Sequence, residues 1–123
     1  MAEFQEGNFV TIENDADLSE KQFYIVKETS AHKAVLAGAA DAAIIGVLNN
    51  APKPGWGADV AIINGNGTFK VVAGANIAYG AKLTSDANGK AVTATSGQRC
   101  FGIARGTAAL NEVVEYFRFN GVA

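Results

Sequence analysis

Glycines and short polar residues interrupt the stretch Phe69 to Ala104, FKVVAGANIAYGAKLTSDANGKAVTATSGQRCFGIA, too often for a helix to propagate through it. Short apolar runs alternate with these interruptions, and the pattern predicts a set of consecutive antiparallel strands. Asp86-Ala87-Asn88-Gly89 falls at the tip of one hairpin, because Asn and Gly tolerate the positive φ that tight hairpin turns require. What precedes and follows the stretch adds strands to it. The rest of the composition agrees: 14 glycines against 2 prolines, with 49% hydrophobic and 18% charged residues, describe a folded chain of short strands and tight turns. A length of 123 residues suits one core. The expectation is an all-β domain, a compact β-barrel or β-sandwich of short antiparallel strands. Residues 1–13 form an extended amino-terminal arm and possible first strand, and residues 14–123 form the single β domain.

In chain order, Met1 to Asn8 is polar, with Phe4 as its large apolar group, and Phe9-Val10-Thr11-Ile12 has the β-branched and aromatic character of a strand. Asn14 to Glu20 offers a turn, or one helical turn capped by Asn14 or Asp15. Phe23 to Glu28 reads as a second strand, with His32 to Leu36 pairing back onto it. Ala42 to Leu48 is a continuous apolar run, read as a buried strand. Asn49 to Gly57, NNAPKPGWG, is excluded from regular structure by its prolines, glycines and asparagines. Asp59 to Ile63 resumes a strand, Asn64-Gly65-Asn66-Gly67 is a turn of the kind that joins hairpin strands, and Glu112 to Phe119 closes the sheet. A faint internal echo links Ile45-Gly46-Val47 with Phe101-Gly102-Ile103. In each, a glycine between large apolar residues marks a bend or bulge.

The same residues argue against chemistry. One cysteine, Cys100, leaves no intrachain disulfide and no thiolate cluster for a metal, and it sits in an apolar run where a thiol packs as a small hydrophobe. A nucleophilic role would need His32, the single histidine, and nothing places the two together. Pairs such as Asp15 with Asp17, or Glu112 with Glu115, lie in polar segments and read as solvated surface. No cofactor is expected. A formal net charge of −2 supplies no basic field for nucleic acid. The amino end lacks the features of a targeting signal, and the apolar runs fall far short of the roughly 20 residues that span a bilayer. No membrane partner is expected, and synthesis is assigned to a cytoplasm. Trp56 stands out, a rigid amphipathic ring framed by Pro54 and two glycines. It is either a contact residue or a lid folded over an open end of the domain. Phe4 and Phe9 pose the same choice between an arm that reaches a partner and ordinary strand packing.

The run Val71 to Val92, followed by Phe101-Gly102-Ile103-Ala104 and the closing Val113-Val114-Glu115 strand, resembles the small capsid decoration, or cement, proteins of tailed bacteriophages. The resemblance covers about the carboxyl-terminal half. It implies a non-enzymatic virion protein on the outer capsid surface, with the major capsid protein as partner. It also implies a homotrimer at threefold positions and an amino-terminal arm that contacts the shell. The Asn49 to Gly57 loop departs from the family pattern, so assigning Phe4, Phe9, Pro54 and Trp56 to a partner interface rests on the residues alone. Two other functions remain open at this point: a carbohydrate- or receptor-binding module of a tail or fibre with Trp56 and Tyr79 as its aromatic platform, and a small enzyme using Cys100.

Overall fold

The computed structural model describes Gln5 and residues 7–123. Among the described residues there are ten strands and no helix. They are β1 (Phe9–Ile12), β2 (Ile25–Glu28), β3 (Ala34–Leu36), β4 (Ile44–Leu48), β5 (Ala58–Ile62), β6 (Thr68–Val72), β7 (Lys82–Ser85), β8 (Ala91–Thr93), β9 (Arg99–Ala104) and β10 (Val113–Val122). They form two five-stranded antiparallel sheets, ordered β1-β5-β4-β2-β3 and β6-β10-β9-β7-β8. Each sheet keeps two edge strands. The architecture is therefore sandwich-like, and the barrel alternative is set aside.

The two orders are the same order. Adding five to each strand number of the first sheet gives the second, and the registers agree as well. Gly46 lies opposite Ile62, and Val47 opposite Ala61, as Gly102 lies opposite Arg118 and Ile103 opposite Phe117. The loop contacts repeat too. Gly55 N–H donates to Asn14 C=O at 2.7 Å and Asn111 N–H to Ala73 C=O at 2.8 Å; Leu18 N–H donates to Pro52 C=O at 3.0 Å and Ile77 N–H to Ala108 C=O at 2.8 Å. The faint echo in the sequence is thus one point of a structural repeat that spans the chain. Its two glycines explain themselves. A Cβ at Gly46 would run into the Ala61 carbonyl and Val60, and one at Gly102 into the Tyr116 ring and the Phe117 carbonyl.

The repeat corrects several sequence expectations. The Asn64 to Gly67 turn joins no hairpin; it carries the chain from one sheet to the other. β6 does not pair with β7, because the residues between them cross the end of the sheet as a loop. β10 lies between β6 and β9 rather than closing an edge. Asn14 to Glu20 forms no helical turn, since the side chains of Asn14 and Asp17 accept from the N–H groups of Ala16 (3.1 Å) and Ser19 (3.1 Å) and turn the chain locally. The hairpin at Asp86 is as expected: Asp86 Oδ1 accepts from Asn88 N–H at 2.8 Å and Lys90 N–H at 2.9 Å, and Gly89 takes φ +77°.

Among the described residues, most buried apolar side chains gather in two clusters. One belongs to the first repeat alone and contains Ile12, Leu18, Val26, Leu48 and Val60. The other combines the interior of the second repeat, where Phe101 and Tyr116 meet edge to face at 5.1 Å, with Ile25, Ala37, Ile44, Val47 and Ile63 from the first. So the first repeat packs onto the second with a face of its own sheet. At the seam Phe69 sits edge-on to both Phe9 (5.7 Å) and Phe23 (5.8 Å), and Arg118 stacks over Phe9 and Phe69 while donating to Asn8 C=O at 2.8 Å.

Candidate functional site

The Asn49 to Gly57 loop is irregular yet tightly held. At its feet Asn49 N–H donates to Asp59 C=O (2.7 Å), Asn49 Nδ2 to Asp59 Oδ2 (2.9 Å), and Asp59 N–H to Asn50 Oδ1 (3.0 Å). Asn50 Nδ2 donates to Gly57 C=O at 3.0 Å, and Pro52 is buried. Gly55, at φ +86°, turns the chain so that Trp56 N–H closes on Lys53 C=O at 3.0 Å. The tip that results, Lys53 to Gly57, is exposed, and Trp56 keeps 60% of its surface with the Lys53 ammonium 5.5 Å from its ring. A large aromatic ring in solvent on a backbone already fixed loses little conformational entropy when it docks. The lid alternative does not fit this exposure.

The other sequence-named residues are placed differently. Pro54 is exposed on the same tip as Trp56. Phe9 stands at the opposite end of the β1–β5 ladder, 39% exposed, with part of its ring taken by Phe69 and Arg118. Phe4 lies outside the described residues. Tyr79 is 71% exposed on a loop of the second repeat and makes no ring pair with Trp56, so the two are not assembled as a platform. Cys100 is buried, its Sγ 3.2 Å from Gly102 C=O, whereas His32 is exposed beside Glu28. No contact joins them.

Sequence reading missed a second exposed apolar surface. On the outer face of β10, Val113, Phe117 and Phe119 are 48%, 45% and 38% exposed, and Arg105 lies 5.4 Å from the Phe117 ring while pairing with Glu115 at 3.0 Å. Hydrogen bonding from Thr68 and the Arg105 guanidinium hold the Glu115 carboxyl below its ordinary range. The odd-numbered alternation of Val113, Glu115, Phe117 and Phe119 was the available signal. The corresponding face of the first repeat is covered. Ala61 and Val47, the counterparts of Phe117 and Ile103, are fully buried, and Ile63, the counterpart of Phe119, is 9% exposed.

What these surfaces offer is shape, exposed aromatic rings and a loop fixed at its feet. Residues 4–119 match the family described as phage cement protein. The chain belongs to that family. The cement protein is therefore a structural, capsid-associated phage protein. Its fold also matches the crystal structure of the head fiber gp8.5 N base of bacteriophage phi29, with a TM-score of 0.70 and 16% identity over 94% of this chain and 96% of that one. At that identity the likeness concerns the fold. No curated protein matches the cement protein by sequence.

Proposed function

We propose that this cement protein binds the outer surface of an assembled phage shell as a homotrimer, with the major capsid protein as its partner, and stiffens the shell against internal pressure. Trp56 carries this reading: an exposed ring on a loop pinned at both feet is suited to docking on another protein and has no comparable use within the chain. Pro54 accompanies it at the interface. The trimer is supported by the uneven treatment of the repeated face. What is buried between repeats in the first half is left open in the second, as at the free end of a head-to-tail arrangement, and contacts of that kind close into rings when the rotation permits. The phi29 structure whose fold this one shares belongs to a head fiber.

The test is titration of undecorated mature shells with the wild-type protein and with Trp56→Ala. Wild type binds saturably at a defined number of sites. Trp56→Ala keeps the fold and weakens binding about tenfold or more, the loss expected of a central aromatic contact. Failure of the wild type to bind any shell overturns the function, and unchanged binding by Trp56→Ala overturns the assignment of the loop.

A further inference from the structure

Three ammonium groups from distant parts of the chain meet two adjacent rings where the repeats join. Lys21, in the segment before β2, lies 5.0 Å from the centroid of the Tyr24 ring, and Lys90, from the β7–β8 hairpin, lies 5.8 Å from the same centroid. Lys70 of β6 stands 5.0 Å from the ring of Phe23. The backbone beneath them is fixed. Phe23 N–H donates to Leu48 C=O at 2.9 Å, Phe23 C=O accepts from Val72 N–H at 3.0 Å, and Ile25 N–H donates to Gly89 C=O at 2.7 Å. Strands of both repeats and the hairpin are thus tied together at this point. Phe23 is held there at φ +68°, a conformation a bulky residue rarely adopts.

The cluster lacks negative charge. Among the described residues, none of the three lysines makes an ion pair. The acids closest to them in the chain or the ladder are engaged elsewhere or point to solvent. Asp86 Oδ1 accepts from the N–H groups of Asn88 and Lys90, and Glu112 Oε1 accepts from Ala109 N–H at 2.6 Å. Glu115, opposite Lys70, pairs with Arg105, and Glu20, beside Lys21, is exposed. One ammonium donor is placed, from Lys90 Nζ to Asn111 Oδ1 at 2.7 Å. Each ammonium carries three. Two like charges drawn to one ring repel each other, and the attraction of a ring for an ammonium near the surface is modest.

We propose that Lys21 and Lys90, with Lys70 beside them, receive an acidic segment of a partner protein, whose carboxylates are bound by the two ammoniums that share the Tyr24 ring. The identification of that partner with the shell protein rests on the function proposed above. Charge complementarity selects the occupant, and two observations favour side-chain carboxylates over a phosphate polymer. None of the arginines, whose planar forks suit phosphate, stands in the cluster: Arg105 pairs with Glu115, Arg118 stacks over Phe9 and Phe69, and Arg99 donates to Ala42 C=O at 2.9 Å. The net charge of −2 opposes a long polyanion more than it opposes a short acidic segment. The position also fits the partner already inferred. Gln22, between Lys21 and Phe23, donates to Asn49 C=O at 2.9 Å, so the cluster adjoins the foot of the Trp56 loop.

The experiment uses a chain carrying Lys21→Gln and Lys90→Gln, which removes two charges from surface side chains and leaves the core untouched. The probe is hexaglutamate, followed by NMR. With the wild type it shifts the Tyr24 ring resonances at low salt, and the effect fades as salt rises from about 0.01 M to about 1 M and the screening length shrinks from about 30 Å to about 3 Å. The double variant binds the probe about tenfold more weakly or not at all. On undecorated shells it binds more weakly than the wild type at low salt and with a flatter salt dependence, and Lys21→Arg with Lys90→Arg keeps wild-type behaviour. Hexaglutamate that leaves Tyr24 unmoved, or that binds the double variant as it binds the wild type, overturns the site. A single-stranded oligonucleotide of equal charge that binds more tightly than hexaglutamate overturns the choice of carboxylates. Shell binding unchanged in the double variant overturns the shell as the occupant. A wild type that binds no shell overturns the proposed function, and the hexaglutamate result then decides the site by itself.

Discussion

Gly102 shows how one residue type is dictated by the approach of its neighbours. It lies in the middle of β9, and the Tyr116 ring and Phe117 carbonyl of β10 occupy the space a Cβ would need. Tyr116 is itself buried, which pushes its phenol well above the ordinary value and holds it neutral. Neither partner has room to withdraw: the ring packs edge-on against Phe101, and the carbonyl is backbone. Gly102→Ala is therefore expected to destabilise the fold by about 1–3 kcal/mol, the usual cost of overpacking, as measured by chemical denaturation. A loss under about 0.5 kcal/mol, the range of ordinary surface substitutions, would show that β10 yields. The two glycines of the repeat were visible in the sequence for this reason. Other repeat positions were not. Phe23, His32 and Ala40 adopt positive φ where their counterparts are Gly80, Gly89 and Gly97, and Gly55 has Asn111 as its counterpart. Backbone conformation is shared while residue identity is not, so a comparison of letters loses the repeat.

Among the elements, the turn between β3 and β4 ties one repeat to the other. Asp41 accepts from the N–H groups of Gly38 and Ala43, both at 2.9 Å, and pairs with Lys27 at 2.9 Å. From β7, Ser85 donates its hydroxyl to Gly38 C=O at 2.5 Å, and its C=O accepts from Ala40 N–H at 2.7 Å. Burial alone would raise the Asp41 carboxyl, but the two backbone donors and the Lys27 ammonium outweigh it and hold the group below its ordinary range. A lowered folded-state value means the unfolded chain binds the proton more readily. The contribution is then complete above the unfolded value of about 4 and is lost as pH falls through the folded value. Denaturation midpoints measured across this acid range should fall less steeply for Asp41→Asn than for the wild type. An identical slope would remove Asp41 from the account. Strand order, by contrast, was beyond local reading. Asp86 to Gly89 announces its hairpin because turn and strands are adjacent in sequence. The position of β10 between β6 and β9 depends on long-range pairings that no short window contains.

At the scale of the whole molecule, the cement protein is two copies of one five-stranded unit, with the first seated on the second. The Trp56 loop and the uncovered face of β10 are both outward features. The Cys100 and His32 side chains are not brought together. Its family places it among structural, capsid-associated phage proteins. A body held by many long-range pairings adds stiffness where it bridges neighbouring subunits, and binding that favours the intact shell stabilises it by mass action. The most direct measurement is the disruption temperature of undecorated mature shells as the protein is added. The temperature is expected to rise with occupancy and level off when the sites are full. Saturable binding with no rise in that temperature would contradict the stiffening role.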